Sequence, residues 1–227
     1  MTEALANRAS VILRVILRHM ILPVTARIAT ERDLPAVVET ISLAFGDDPT
    51  WTWVFPSADR QNSAYPAWWG FMVASALRRG WVRTTKHCEA AAVWIAPGEP
   101  ELTHEEELRL PGLLDELVGP RAGAVLELID RFEKSRPYDE PHYYLSLLGT
   151  HPAHVGRGLG MGLLAEALRR FDAEGLPTYL ESSNPANNNR YAALGFRETG
   201  TFYPPGSDIP VTTMWRPARS LDGAIRL

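Results

Sequence analysis

The feature that most restricts this 227-residue chain is the run Val155-Gly156-Arg157-Gly158-Leu159-Gly160-Met161-Gly162. Four glycines alternate with larger residues, and a helical pattern starts at once behind them. Leu163, Leu164, Ala167, Leu168 and Phe171 fall on one face at helical spacing. Glycine lets a backbone approach a ligand closely and take left-handed angles that a β-carbon forbids. A helix N-terminus leaves about four N–H groups unpaired, and with the helix dipole these favour an anion. The run reads as a pyrophosphate cradle; the plainer alternative is a Gly-rich turn before a helix. No Lys-Ser or Lys-Thr follows, which excludes a P-loop. The period of two and the late position separate it from a dinucleotide fingerprint.

Two neighbouring segments narrow the reading. Downstream, Leu180-Glu181-Ser182-Ser183-Asn184-Pro185 leads to Asn187 and to Tyr191-Ala192-Ala193-Leu194-Gly195-Phe196. Upstream, Leu145-Ser146-Leu147-Leu148-Gly149-Thr150-His151-Pro152 reads as a strand ending just before the cradle. Together the three segments resemble the Gcn5-related N-acetyltransferases (GNAT). The glycine run matches that family's Gln/Arg-x-x-Gly-x-Gly/Ala motif, with Val155 in place of the usual Gln or Arg. The layout is closest to the puromycin N-acetyltransferase type. It shares the opening Arg27-Ile28-Ala29-Thr30-Glu31-Arg32-Asp33, the strand Ala92-Val93-Trp94, a long helical insertion, and Leu180-Glu181-Ser182-Ser183.

The resemblance implies an α/β (α+β) GNAT fold. Its sheet would be mixed, mostly antiparallel and twisted, with six to seven strands flanked by helices and splayed at the cofactor site. It implies acetyl-CoA as cosubstrate. Backbone N–H groups of Gly156, Arg157, Gly158, Leu159, Gly160 and Met161 would hold the pyrophosphate. Leu148, Gly149 and Thr150 would pair with the pantetheine arm, and Asn184 or Asn187 would contact it. Tyr191 would protonate the departing thiolate, with a core aromatic as the bland alternative. Glu181 is the candidate base, and a structural carboxylate is the competing reading. His142, Tyr144 or a chain of waters are the other candidate bases.

Composition bounds the function classes. A formal net charge of −4 argues against nonspecific nucleic-acid binding. The single Cys88 excludes an internal disulfide and a cysteine zinc cluster. It reads as a small buried residue at the start of a strand. His151 and His154 have a spacing that suggests a metal. With no third ligand nearby they read as turn residues, so no metal is expected.

Residues 1–22 read as an N-terminal extension, and 23–220 as one acetyltransferase domain with a helical insertion at about 100–137. Val11 to Leu22 is apolar, but Arg14, Arg18 and His19 interrupt it, so it is too short to span a bilayer. It reads as a docking helix or an extension, or the true start is Met20. No signal peptide is evident. The expectation is a cytoplasmic chain with no membrane partner.

Along the domain, the pattern predicts a strand from Val24 to Thr30 and a helix to about Phe45. Trp51, Trp53 and Phe55 follow in a loop, as an acceptor wall or as core. A helix over Ala64–Arg79 and a strand pair at Trp81–Thr85 and Cys88–Ile95 come next. Leu102 to about Lys134 is helical and acidic. Pro111-Gly112 and Gly119-Pro120 break it, and Glu105-Glu106-Glu107 reads as a solvated face. This insertion covers the acceptor or makes a homodimer contact. A strand His142–Thr150, a helix Arg157–Ala173, a strand Thr178–Ser182, a short helix after Pro185 and a closing hairpin complete the pattern. The hairpin loop Tyr203–Asp208 is placed to reach the acceptor.

Acetyl transfer by direct attack in a ternary complex needs no covalent enzyme intermediate, so a missing Ser/His/Asp arrangement is no objection. The function read from these residues is N-acetylation of a primary amine on a small molecule, with antibiotic resistance as one setting. The alternatives are a noncatalytic acyl-CoA-binding or regulatory protein on the same fold, and a peptide or protein N-acetyltransferase.

Overall fold

The computed structural model describes residues 24–56 and 63–219. The expected N-terminal helix within residues 1–22 lies outside the described residues. Seven strands form one sheet: β1 (Arg27–Ile28), β2 (Val82–Thr84), β3 (Ala90–Ile95), β4 (Tyr143–Thr150), β5 (Thr178–Ser182), β6 (Arg197–Phe202) and β7 (Val211–Arg216), in the order β1-β2-β3-β4-β5-β7-β6. Every pairing is antiparallel except β4 with β5. The mixed, mostly antiparallel sheet expected from the sequence is present.

Helices cover both faces. On one side lie α1 (Leu34–Ala44), α2 (Pro49–Val54), α3 (Ala64–Arg78), α4 (His104–Val118) and α5 (Ala122–Ser135). Their buried residues join Ala91, Val93 and Leu147 of the sheet in one core. On the other side α6 (Leu159–Glu174) buries Leu164, Ala167, Leu168 and Phe171 against Ala92, Trp94 and Leu145. A short α7 (Asn188–Ala193) follows β5.

One irregularity in β4 organises the site. Side chains two apart on a strand share a face, yet Leu145 packs toward α6 while Leu147 packs toward α1 and α3. The cause is a register shift: Val93 pairs with Leu147, and Trp94 with Leu145. Ser146 is the extra residue, and such a bulge bends and twists its strand. From this point β4 also parts from β5. Their parallel register runs only from Tyr143↔Thr178 to Leu145↔Leu180. Beyond it β4 continues to Thr150 and β5 to Ser182 with a gap between them.

Several expectations are corrected. Trp51 and Trp53 lie on a helix rather than in a loop. Asp48 caps that helix, accepting from Thr50 N at 3.0 Å and Trp51 N at 3.2 Å, with Pro49 in its first turn. Pro111 does not break α4: it lies inside the helix on an exposed face, where it forgoes one backbone hydrogen bond, and Gly119 ends that helix. Glu106 is not solvated. It is buried, accepts from Ser75 Oγ at 2.8 Å, pairs with Arg78, and so ties α4 to α3. The first strand shrinks to Arg27–Ile28. Cys88 is buried but lies in the β2–β3 turn with φ 60°, not in a strand. No described helix is long and apolar enough to cross a membrane.

A buried ion pair holds the far end of the site in place. Arg216 on β7 donates to both carboxylate oxygens of Asp172 on α6, at 2.8 and 2.7 Å, and its Nε donates to Leu194 O just after α7. Asp172→Ala would strand a guanidinium that is 3 % exposed. The expected result is a loss of about 3–5 kcal/mol in chemical denaturation. A loss below about 1 kcal/mol would show that this pair does not lock α7 to the sheet.

Candidate active site

The gap between β4 and β5 opens into a cavity of about 880 Å³. Its floor is β4 from Tyr144 to Leu148 and the end of β5 from Leu180 to Ser182, with Ser183 just beyond it. Beyond Leu145, the β5-facing backbone groups of β4 have no strand to pair with, because β5 has turned away. An extended polar chain entering the gap would satisfy them. Leu148 lines this cavity. Gly149 does not. Its lack of a side chain serves the helix behind: a Cβ there would lie 2.9 Å from Ala44 Cβ and 3.0 Å from Ile41 Cδ1. Thr150 stands at the end of β4 against the start of α6.

The glycine run forms the turn that launches α6. Gly156 (φ 85°) and Gly158 (φ 71°) take left-handed angles, and Gly158 is the N-cap. Gly160 is buried against β4; a Cβ would stand 2.7 Å from Thr150 Oγ1. The first helical bond is Gly162 N to Gly158 O at 2.8 Å. The N–H groups of Leu159, Gly160 and Met161 therefore have no acceptor within the helix. The helix runs 16 residues, so its dipole adds to these donors. Arg157 is exposed, and Val155 is 63 % exposed where a Gln or Arg was expected. Position 155 brings no polar side chain to the cradle.

Glu181 reaches the cavity from β5. Its Oε1 is buried with no hydrogen-bond partner. Burial pushes its pKa up to about 7, while the Arg136 guanidinium and the phenols of Tyr144 and Tyr179 hold the rise back. Tyr191 lines the same cavity from α7. Burial pushes its phenol up to about 12, with the Asp48 carboxylate adding to the shift, so it stays protonated at neutral pH. Asn184 and Asn187 also line the cavity. Asn184 Oδ1 accepts from Ala186 N at 3.0 Å, and Asn187 Oδ1 accepts from Arg190 at 3.1 Å. His142 lines the cavity and is kept neutral by burial, with Nδ1 2.7 Å from Glu140 O. Tyr144 is buried, and its pKa is pushed far up, so it is no base at neutral pH. His151 and His154 flank a short turn with rings 5.7 Å apart.

Sequence reasoning missed a second set of residues. Arg136, at the end of the helical insertion, is 9 % exposed in its side chain. Its Nη2 meets Glu101 at 3.0 Å and Glu133 at 3.2 Å, and its guanidinium lies 4.1 Å from the Tyr144 ring centroid. Ser146, the bulged residue of β4, donates to the other oxygen of Glu101. Asp48 was also missed. It accepts from Ser183 Oγ at 2.7 Å and so joins α2 to the loop after β5. An Asp followed by Pro was a readable helix-start signal; nothing local marked Arg136.

Residues 119–196, about a third of the chain, match the family model described as the acetyltransferase (GNAT) family. This span runs through α5, β4, the glycine run, β5 and α7. Among solved structures, the chain is similar to a histone acetyltransferase HPA2 and related acetyltransferase from Corynebacterium glutamicum, at 24% identity and a TM-score of 0.63. That match covers 87% of this chain and 98% of the other. It is similar to a polyamine N-acetyltransferase from Drosophila melanogaster that catalyses formation of N-acetylagmatine, at 17% identity and a TM-score of 0.58, covering 86% and 99%. A PaiA N-acetyltransferase from Thermoplasma acidophilum in complex with coenzyme A matches at 11% identity and a TM-score of 0.52, covering 86% and 99%. The chain thus has the GNAT fold and, over residues 119–196, the family's sequence pattern. Acetyl-CoA, which that family uses, fits the residues present: left-handed glycines, unpaired first-turn donors and an unpaired β4 edge beside one cavity.

Glu181 yields a stability prediction with a definite sign. Its folded pKa of about 7 lies above the 4.5 of an ordinary glutamate. Between those values the folded state binds the proton more tightly, so stability falls as pH rises through that window. Glu181→Gln should therefore raise Tm at pH 8, with the gap shrinking by pH 5. A Tm gap independent of pH would show that Glu181 is not held in this high-pKa state.

Proposed function

We propose that this protein transfers an acetyl group from acetyl-CoA to the primary amine of a small molecule by direct attack. The observation that carries this reading is the pairing of Glu181 and Tyr191 on one cavity floored by β4, whose last residues Leu148 and Thr150 stand against Gly160 of the glycine run. Acetyl-CoA would supply the acyl thioester. Leu159, Gly160 and Met161 would bind its pyrophosphate through their N–H groups, with Gly156 and Gly158 shaping the turn. Leu148 and Thr150 would align its pantetheine along the unpaired edge of β4, with Asn184 and Asn187 near that arm.

The chemistry balances with the two side chains in named roles. The acceptor arrives as an ammonium ion, and Glu181 takes its proton, directly or through water. The freed nitrogen lone pair then forms the C–N bond as the C–S bond breaks. Tyr191 gives its proton to the departing thiolate, and the nitrogen loses its second proton. Ammonium and thioester become amide, thiol and one proton. A base with pKa near 7 is well matched to working near neutrality.

Support for catalysis over mere acyl-CoA binding comes from Glu181 itself. A carboxylate with one oxygen buried and unpartnered destabilises the fold. A purely structural acid would be expected to have its hydrogen bonds satisfied. The finer likeness to the puromycin type belongs to this reading and agrees with a bulky amine acceptor. The GNAT neighbours described as acting on agmatine and polyamines make an amine acceptor reasonable for this fold.

Release of free thiol from acetyl-CoA, followed with an amine panel, tests the reading. The kcat/KM of the wild type should rise through an apparent pKa near 7 and level off above it. Glu181→Gln should lower kcat/KM by about 10²–10⁴-fold and abolish that rise. Tyr191→Phe should lower kcat by about 100-fold while acetyl-CoA still binds. Full turnover by Tyr191→Phe would remove its role as acid. An unchanged pH profile in Glu181→Gln would move the base elsewhere, with neutral His142 next in line.

A further inference from the structure

We propose that the acceptor is a monoamine with an aromatic or similarly broad apolar body, and that polyamines are poor substrates. The inference rests on the acetyl-transfer reading above and narrows its substrate class.

The charges around the cavity leave room for one cation. Many carboxylates line it, which at first sight favours a polycation. Their hydrogen bonds argue otherwise. Glu101 is fully engaged by Arg136 on one oxygen and Ser146 on the other. Glu133 is met by Arg136 and by Tyr138 Oη at 2.9 Å. Asp48 is spent on capping α2 and on Ser183. Asp47, Glu99, Glu107 and Glu140 are exposed at the rim, where water and salt screen them. Inside, Glu181 is the carboxylate with an oxygen left unpartnered among the described residues. The Arg136 guanidinium is fixed close enough to act on it, and would repel a second ammonium.

One part of the wall is apolar and comes from three separate helices. Trp51 on α2, Met72 on α3, and Ile129 and Phe132 on α5 all line the cavity. Each is only partly buried by the core it packs against. Their remaining apolar surface faces a space that an extended polyamine would fill poorly and a ring would fill well. The wall is anchored for the purpose. Arg121, at the start of α5, donates to Val54 O at 2.9 Å and also to Trp53 O, binding the insertion to α2. Phe132 is set by an edge-to-face contact with Phe202, ring centroids 5.0 Å apart.

The test uses the full-length chain, acetyl-CoA and thiol release with tryptamine, 2-phenylethylamine, putrescine and spermidine. The expected kcat/KM for the two aryl amines exceeds that for the two polyamines by about tenfold or more. Phe132→Ala should raise KM for the aryl amines by about tenfold with kcat little changed, and raise KM for putrescine by much less. If Phe132→Ala does not fold, Phe132→Leu should give the same split in smaller size. Polyamines turned over as well as or better than the aryl amines would overturn the inference and leave acetyl transfer standing. So would a Phe132 variant that affects both classes alike. Acetyl-CoA binding with no thiol release from any of the amines would count against the acetyl-transfer reading itself, and this inference falls with it.

Discussion

Everything about the site depends on two parallel strands that stop being neighbours. β4 and β5 pair over three residues and then part, at the place where Ser146 bulges out of the β3–β4 ladder. A sheet that opens in its middle exposes backbone donors and acceptors that would ordinarily be paired. That is costly unless a ligand completes the ladder. The bulge has a second effect, because it reverses which face Leu147 and the residues after it address. This lets Gly149 take the close approach of α1 on one side while Leu148 and Thr150 meet the start of α6 on the other. The cradle and the gap are thus two results of one local distortion.

The second constraint is electrostatic. Glu181 is half-buried among groups that pull its pKa in opposite directions. Burial raises it and Arg136 lowers it, and Arg136 is itself held by Glu101, Glu133 and the face of Tyr144. Arg136 is a positioning residue in this scheme: it moderates the charge on Glu181 without needing to touch the amine. Leaving Glu181 alone in its apolar setting would raise its pKa further, and pairing it directly with Arg136 would abolish its basicity. Through Arg136 the segment around α5 contributes to this balance and, through Ile129 and Phe132, to the apolar wall of the cavity.

Much of the glycine turn and its surroundings was legible in the sequence because their signals are local. A left-handed glycine, a helix start and the β5 strand at Thr178–Ser182 are each written within a few residues. Glu181 and Tyr191 were named from the same stretch, and the structure brings both to the cavity. The acceptor side was less legible because it is assembled from afar. Glu101, Arg136 and Ser146 are widely separated in the chain and meet only once the sheet has formed. The acidic run at Glu105–Glu107 shows how a local rule fails. Helical spacing turns its middle member inward, where Ser75 and Arg78 are waiting on α3. At Asp48-Pro49 a helix-start signal stands just ahead of Trp51 and Trp53, which the pattern alone puts in a loop and the structure puts on a helix.

The most direct test of the central claim is calorimetric titration of the full-length protein with acetyl-CoA, beside a Gly158→Val variant that remains folded by circular dichroism. The account predicts one-to-one binding by the wild type. It predicts a marked loss in the variant, because a β-branched residue resists the left-handed angle that turns the chain into α6. No binding by the wild type would contradict the account at its root. Undiminished binding by Gly158→Val would show that the cofactor is held somewhere other than the start of α6.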